Sequence, residues 1–239
     1  PSDLDLVASV DAGIGGVDAI TTGDGSDLVV GGTAGDTLWV GNGNNLVLGD
    51  SGQITAASRQ GPQLAGLPLT IGEVLTTADG VGETDGITAG SGDDILVGGT
   101  NGPGTVEPIA AGDGNNIVLG DDGRVDYTRA DREPAAVGAD TDPGDLDLIE
   151  SLSTTLFGGA DTISTGAGSD LVIGGRYGDT IAAGGGDDIV LGDSGRLVAD
   201  AESAGRPSWP GQRFSVGRIE TIEPDDGGAD QIDAADGDD

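Results

Sequence analysis

The sequence predicts an all-β solenoid of short strands stacked in coils, and three observations carry this prediction. Four aspartates stand nine residues apart between Asp161 and Asp188, and similar runs occur elsewhere. A glycine-rich turn precedes each of these aspartates, and a short apolar run follows it. The pattern itself returns after 71 and 72 residues, at the matching segments 46–52, 117–123 and 189–195. A fixed short period of this kind is the signature of stacked repeats.

The nine-residue unit divides into a turn and a strand. The turn needs glycine because its backbone must adopt positive φ. Two units close one coil of two strands and two turns, and coils stack about 4.8 Å apart. The middle residue of each three-residue strand is apolar, and strand alternation sends it inward. These inward residues are Val29, Leu38, Val47, Ile163, Val172, Ile181 and Val190.

Stacking brings the acidic residues of successive turns into rows along both edges of the solenoid. Carboxylates in rows repel one another unless a cation lies between them. The spacing therefore predicts metal sites, which we expect to be weaker or empty where Asn45 or Asn116 replaces aspartate and where Glu107 follows four extra residues. The candidate metal ligands, including the aspartates that end each repeat, are Asp18, Asp27, Asp36, Asn45, Asp50, Asp85, Asp94, Asn116, Asp121, Asp161, Asp170, Asp179, Asp188, Asp193, Asp230 and Asp239.

At this register the chain resembles the RTX calcium-binding repeats, whose unit is G-G-x-G-x-D-x-U-x. Residues 174–182, Gly-Gly-Arg-Tyr-Gly-Asp-Thr-Ile-Ala, match that unit with one glycine displaced, and fourteen units cover roughly half of the chain. The resemblance implies a parallel β-roll with multiple Ca²⁺ ions between stacked turns, held by aspartate carboxylates and by backbone carbonyls. Calcium prefers hard oxygen ligands of this kind.

Composition narrows the class of protein further. Nine arginines and no lysine face 43 acidic residues, a net charge of −34, which excludes nucleic acid as a partner. Aromatic residues are only 3% of the chain, so we expect a thin core. Divalent ions should then be a condition for folding, and the ion-free chain should approach a disordered polyanion.

The longer period divides the chain into four segments. They are 1–52 (roll about 13–52), 53–123 (roll about 82–123), 124–195 (roll about 158–195) and 196–239, which starts a truncated unit. Between roll portions the chain makes excursions of about 30 residues, each opening and closing with a strand-like piece. The closing pieces are 69–75, 146–152 and 214–222, with a copy at 4–10.

We expect the two strands of each excursion to add one more coil to the solenoid. All excursions would then leave from one edge, about 14 Å apart. Their variable loops either bind a partner or shield the sheet edges. Solenoid ends or loops could also mediate self-association.

No catalytic constellation is present, and we expect no enzyme. Two Asp-Ser-Gly strings, at 50–52 and 193–195, match the nucleophile string of chymotrypsin-like proteases, but that mechanism needs histidine and the chain has none. The third copy of the repeat ending, at 120–123, lacks the serine. Aspartic proteases also use paired Asp-Ser-Gly strings, but here each string merely ends a repeat.

Three functions remain open at this point. The first is a calcium-stabilised structural segment of a large secreted bacterial surface protein, such as an adhesin stalk, a surface layer or an extracellular filament. The second is a secretion and folding module attached to a secreted enzyme or toxin, and the third is a carbohydrate- or ice-binding repetitive surface. An extracellular or cell-surface location fits weak calcium sites, and no apolar stretch is long enough for a membrane span.

Overall fold

The computed structural model describes residues 4–57, 70–102, 104–129, 145–152, 157–200, 215–225 and 227–239. Its regular structure there is all-β, which confirms the predicted fold class. The strands form three sheets, named here I, II and III. Within the described ranges, no helix is long and apolar enough to cross a membrane.

Sheets I and II are parallel and together form the roll. Sheet I contains β2 (Ala19–Thr21), β4 (Thr37–Trp39), β8 (Gly86–Thr88), β10 (Val106–Gly112), β14 (Ala160–Thr165), β16 (Thr180–Ala182) and β20 (Gln231–Asp233). Sheet II contains β3 (Leu28–Val30), β5 (Leu46–Leu48), β9 (Ile95–Val97), β11 (Ile117–Leu119), β15 (Leu171–Gly175) and β17 (Ile189–Asp193). The chain alternates between the two sheets, so each coil takes one strand from each.

The middle residue of each strand packs between sheets I and II, as predicted. Leu38 and Val47 are fully buried, and Val29, Ile163, Val172 and Ile181 are nearly so. Val190 is partly buried against the same cluster. Parallel pairing keeps these residues in register, because Val47 lies opposite Val29 and Leu96 lies opposite Val47.

Sheet III corrects the prediction for the excursions. Their opening and closing strands add no coil and instead form an antiparallel sheet. Its strands are β1 (Leu6–Ala8), β6 (Gly52–Ala56), β7 (Ile71–Thr76), β12 (Gly123–Asp126), β13 (Leu148–Ser151), β18 (Gly195–Ala199) and β19 (Val216–Thr221). The strands were correctly located from the sequence, but their predicted pairing was wrong, because each closing strand runs back beside its opening strand and pairs with it antiparallel.

The core is also thicker than expected. A second apolar cluster lies between sheets II and III, where Leu46 and Leu48 of sheet II meet Ile54, Val74 and Val125 of sheet III. Strands of sheet II are therefore buried on both faces, and sheet II is the middle of three layers. The expectation of a thin core was wrong because two interfaces, each built from small apolar residues, replace one large interface.

Each repeat of the long period adds the same number of strands to all three sheets. Each unit of about 71 residues adds two strands to every sheet, so excursions recur every two coils rather than every three. That spacing is about 9–10 Å. The strands flanking all three excursions lie in the one sheet III, as a one-sided arrangement requires. Most of each loop between them lies outside the described residues.

The repeated Gly-Asp-x-Gly string is the corner between sheets II and III. A β-carbon on Gly52 would overlap the Leu48 side chain, and Gly123 and Gly195 stand in the same relation to Leu119 and Leu191. Only glycine lets the chain turn that tightly over the preceding strand. The glycine of each protease-like string therefore has a structural role at this corner.

Sheet III carries a ladder of ion pairs across its strands. Arg124 contacts Glu73 at 3.1 Å and Glu150 at 2.9 Å. Arg196 contacts Glu150 at 2.9 Å and Glu220 at 3.2 Å, so Glu150 joins two hairpins. In a chain with only nine cationic side chains, this ladder uses arginine to hold neighbouring excursions in register.

Replacing Glu150 by glutamine should therefore weaken sheet III. Glu150 is 8% exposed and loses contact with two guanidinium groups at once, so we expect about 1–3 kcal/mol of destabilisation. Chemical denaturation at low and high salt measures it, and screening should shrink the difference. Exposed Glu83→Gln is the matched control; equal effects of the two changes would contradict a role for the ladder.

Candidate metal centre

The acidic residues of the turns form two continuous rows, one on each edge of the roll. The first row lies where the chain enters each strand of sheet I, coming from sheet II or from an excursion strand of sheet III: Asp18, Asp36, Asp85, Glu107, Asp161, Asp179 and Asp230. The second row follows the turns from sheet I to sheet II: Asp27, Asn45, Asp94, Asn116, Asp170, Asp188 and Asp239. Fourteen turns thus bring together thirteen of the sixteen candidates from the sequence, and Glu107 with them.

In eleven of the fourteen row residues, a backbone N–H of the preceding coil donates to one side-chain oxygen. In the first row the N–H of Asp36 donates to Asp85 Oδ1 at 2.6 Å, and the N–H of Asp161 donates to Asp179 Oδ1 at 2.8 Å. In the second row the N–H of Asp170 donates to Asp188 Oδ1 at 2.9 Å. This bond aligns the carboxylates coil by coil.

The other oxygen is buried and has no hydrogen-bond partner. This holds for nine carboxylates of the described rows. They are Asp27, Asp36, Asp85, Asp94, Asp161, Asp170, Asp179 and Asp188 through Oδ2, and Glu107 through Oε1. A buried anionic oxygen without a partner is costly, and its repetition in nine of the fourteen turns gives both edges of the roll a demand for positive charge.

Backbone carbonyl oxygens converge on the same places. A β-carbon on Gly49 would overlap both Asp85 Oδ2 and the carbonyl oxygen of Gly98. Gly120 faces Asp161 Oδ2 and the Gly174 carbonyl in the same way, and Gly174 faces Asp179 Oδ2 and the Gly192 carbonyl. The turns of Asp36, Asp85, Glu107, Asp161 and Asp179 therefore each present a carboxylate oxygen next to a carbonyl oxygen of a neighbouring coil, a donor set that suits Ca²⁺.

The donor set does not include clusters of acidic side chains. Among the described residues, no three His, Cys, Asp or Glu side chains are grouped closely enough to hold one metal ion. An ion in these turns would thus take one or two carboxylates and complete its shell with carbonyl oxygens, as the resemblance implies.

Glu107 continues the first row despite the four extra residues before it. It is fully buried and aligned with Asp161, and its Oε2 accepts the N–H of Asp85 at 3.2 Å. Asp161 Oδ1 is instead bound by the side-chain amide of Asn101 at 2.6 Å. Asn101 comes from the inserted segment, and its part in the row was missed from sequence because it lies outside the nine-residue register.

The three aspartates that end the repeats occupy a different position. Each lies in a corner next to the first row and accepts backbone N–H groups. Asp121 accepts from Gly159 at 2.9 Å and from Arg176, while Asp193 accepts from Gly228 at 2.9 Å. Asp50 accepts from Thr100 at 2.6 Å and keeps Oδ1 buried without a partner. These carboxylates fasten the return of each excursion to the roll.

Further hydrogen bonds on the second edge lie outside the predicted ligand set. Asn42 Nδ2 donates to Asp24 Oδ1 at 2.8 Å, and Asn115 Nδ2 donates to Asp93 Oδ1 at 3.0 Å. Asp24 and Asn42 stand between two glycines of their turns, and Asp93 and Asn115 stand directly before the row residue. Their recurrence at the same turn positions could have identified them from sequence.

Burial raises the pKa of the carboxyls in the middle of the rows, and backbone N–H donors oppose that rise. The pKa of Asp85 and of Asp94 rises to about 7, and that of Asp179 to about 8. Burial, with nearby Asp161, also holds the pKa of Glu107 well above its usual range. Without a cation, these buried carboxyls therefore hold their protons to a higher pH than exposed carboxyls do.

Comparison with protein-family models, with curated proteins and with solved structures returned no match to this chain. The features of this chain that bear on its function are therefore those of its turns: their spacing, their buried carboxylate oxygens and the carbonyl oxygens around them.

With divalent ions chelated, the chain should become less stable as pH rises. A carboxyl whose folded pKa lies above its unfolded value favours folding while protonated, and that contribution fades as pH climbs through the folded pKa. For Asp85, Asp94 and Asp179 the pH window runs from the ordinary aspartate pKa of 3.8 to about 8. Urea unfolding at about pH 5 and about pH 8 measures it; equal stability at both would contradict the buried, cation-free state of these groups.

Proposed function

We propose that this chain is a calcium-stabilised structural segment of the RTX type, belonging to a large secreted bacterial surface protein. The observation that carries the proposal is the set of nine buried carboxylate oxygens without hydrogen-bond partners, which lie in nine of the fourteen turns. Ca²⁺ supplies the positive charge that those oxygens lack, and it accepts the carbonyl oxygens beside them as further ligands.

Different groups of this chain would contribute to the ion sites in different ways. The backbone N–H of one coil orients the carboxylate of the next, as between Asp36 and Asp85. Glycine α-carbons such as Gly49 leave room for the carboxylate and carbonyl oxygens to approach. Bound ions would then tie adjacent coils together along both edges.

The continuous core of the roll and its cover by sheet III support a structural segment over a secretion and folding module. The apolar core between sheets I and II runs without interruption past every excursion. Sheet III covers one flank of that core along the whole described length. Cell-surface proteins such as adhesin stalks and extracellular filaments need such an extended element of constant cross-section.

Calcium removal tests the proposal directly. We expect chelation to lower the melting temperature by more than about 10 °C, because several binding free energies are lost together. Circular dichroism melts in calcium, in chelator and in magnesium measure the effect. Magnesium should restore little, since it demands octahedral geometry and retains its water. A melting curve indifferent to calcium would remove the basis of the proposal.

A single-site change tests the assignment of the rows. Asp85→Asn keeps the shape of a side chain that is 1% exposed but removes its charge. We expect at least one bound ion fewer, counted by isothermal titration calorimetry. Exposed Asp79→Asn removes the same charge outside the rows and should leave the ion count unchanged. An unchanged count in the Asp85 variant would show that this turn holds no ion.

A further inference from the structure

The two asparagines of the second row do different chemistry from its aspartates. Asn45 is 1% exposed and Asn116 is fully buried. Asn45 Nδ2 donates to the carbonyl oxygens of Gly41 at 3.1 Å and Gly43 at 2.8 Å. Asn116 Nδ2 donates to those of Gly112 and Gly114, both at 3.2 Å. In both turns the amide satisfies the two carbonyls of its own Gly-x-Gly segment.

The aspartates of the same row have an oxygen in place of that amide. Asp94 lies between the two asparagines, and the glycines of its turn are Gly90 and Gly92. Its Oδ1 accepts the N–H of Asn45 at 2.7 Å, and its Oδ2 is buried with no partner. An oxygen cannot donate to a carbonyl, so an aspartate turn leaves several acceptors facing one another without a proton or a cation.

We propose that Asn45 and Asn116 replace a bound cation with their own side-chain amides, so that these two turns close without metal. The inference rests on the proposed function for the aspartate turns and assigns the opposite state to the asparagine turns. An amide NH₂ offers two donors, which matches the two glycine carbonyls in each turn. Addition of a cation there would break both hydrogen bonds.

Neighbouring amides extend the same chemistry through these turns. Asn44 Oδ1 accepts the N–H of Asp93 at 3.0 Å, and Asn115 Oδ1 accepts the N–H of Ser169 at 3.0 Å. Each of these two turns therefore carries two neighbouring neutral amides, at 44–45 and at 115–116. The turn between them carries two carboxylates, Asp93 and Asp94, at the same positions. The stack from Asp27 to Asn116 alternates charged and neutral row residues, whereas Asp170, Asp188 and Asp239 follow one another without a neutral turn.

Isosteric exchange in both directions provides the test on the full chain. Asn45→Asp and Asn116→Asp remove the amide donors and add a carboxylate, and Asp94→Asn makes the matched opposite change. Calcium titration should show one additional ion for each Asn→Asp change, two for the double variant, and one fewer for Asp94→Asn. With calcium chelated, each Asn→Asp change should lower the melting temperature by at least about 4 °C, and Asp94→Asn should raise it.

The two readouts separate this inference from the proposed function. A wild-type chain that binds no calcium overturns the proposed function, and the melting shifts of the chelated variants then decide the inference alone. A wild-type chain that binds calcium, with unchanged ion counts in both Asn→Asp variants, overturns the inference alone. Chelated melting temperatures that do not move in opposite directions for Asn45→Asp and Asp94→Asn also overturn it.

Discussion

Buried carboxylate oxygens without donors are the constraint on which the rest of this molecule depends. Each turn exposes its backbone carbonyls toward the same space, so the turn cannot be neutralised from within unless a side chain carries protons there. Asn45 and Asn116 do so through Nδ2. Where aspartate stands instead, charge must come from outside the chain, and the stability of the coil becomes coupled to the solution around it.

Sheet III changes how much of the molecule depends on that coupling. Apolar residues such as Leu48 and Val74 meet between sheets II and III, away from both acidic rows. The ion pairs of Arg124 and Arg196 lie on the same sheet. Charge is thus segregated: carboxylates line the edges of the roll, while arginine is concentrated where the excursions pair. Apolar burial stabilises the layer between sheets II and III, whereas the proposed ions would act at the edges of the roll.

The sequence predicted the roll because its period is strict, and it located the excursion strands because they repeat. The pairing of those strands was predicted wrongly, because the prediction used only the middle residue of each roll strand. Residues 46–48, Leu-Val-Leu, are apolar throughout, whereas residues 37–39 of sheet I, Thr-Leu-Trp, are not. A continuous apolar run indicates burial on both faces, so the third layer could have been inferred. The amide–carbonyl bonds of Asn45 could not, because they depend on how the turn folds around the side chain.

The junction between roll and excursion also sets a parity rule. Every excursion leaves after a strand of sheet II, and the chain returns to begin a strand of sheet I. One additional nine-residue unit would end the roll portion on a strand of sheet I, and the next hairpin would then form on the opposite flank. Two excursions must therefore be separated by an even number of nine-residue units. Two coils add two strands each to sheets I and II, and one hairpin adds two strands to sheet III, so the three sheets lengthen by the same number of strands. A period of about 71 residues is therefore the shortest step that advances all three layers together, and such a chain can change length only in these steps.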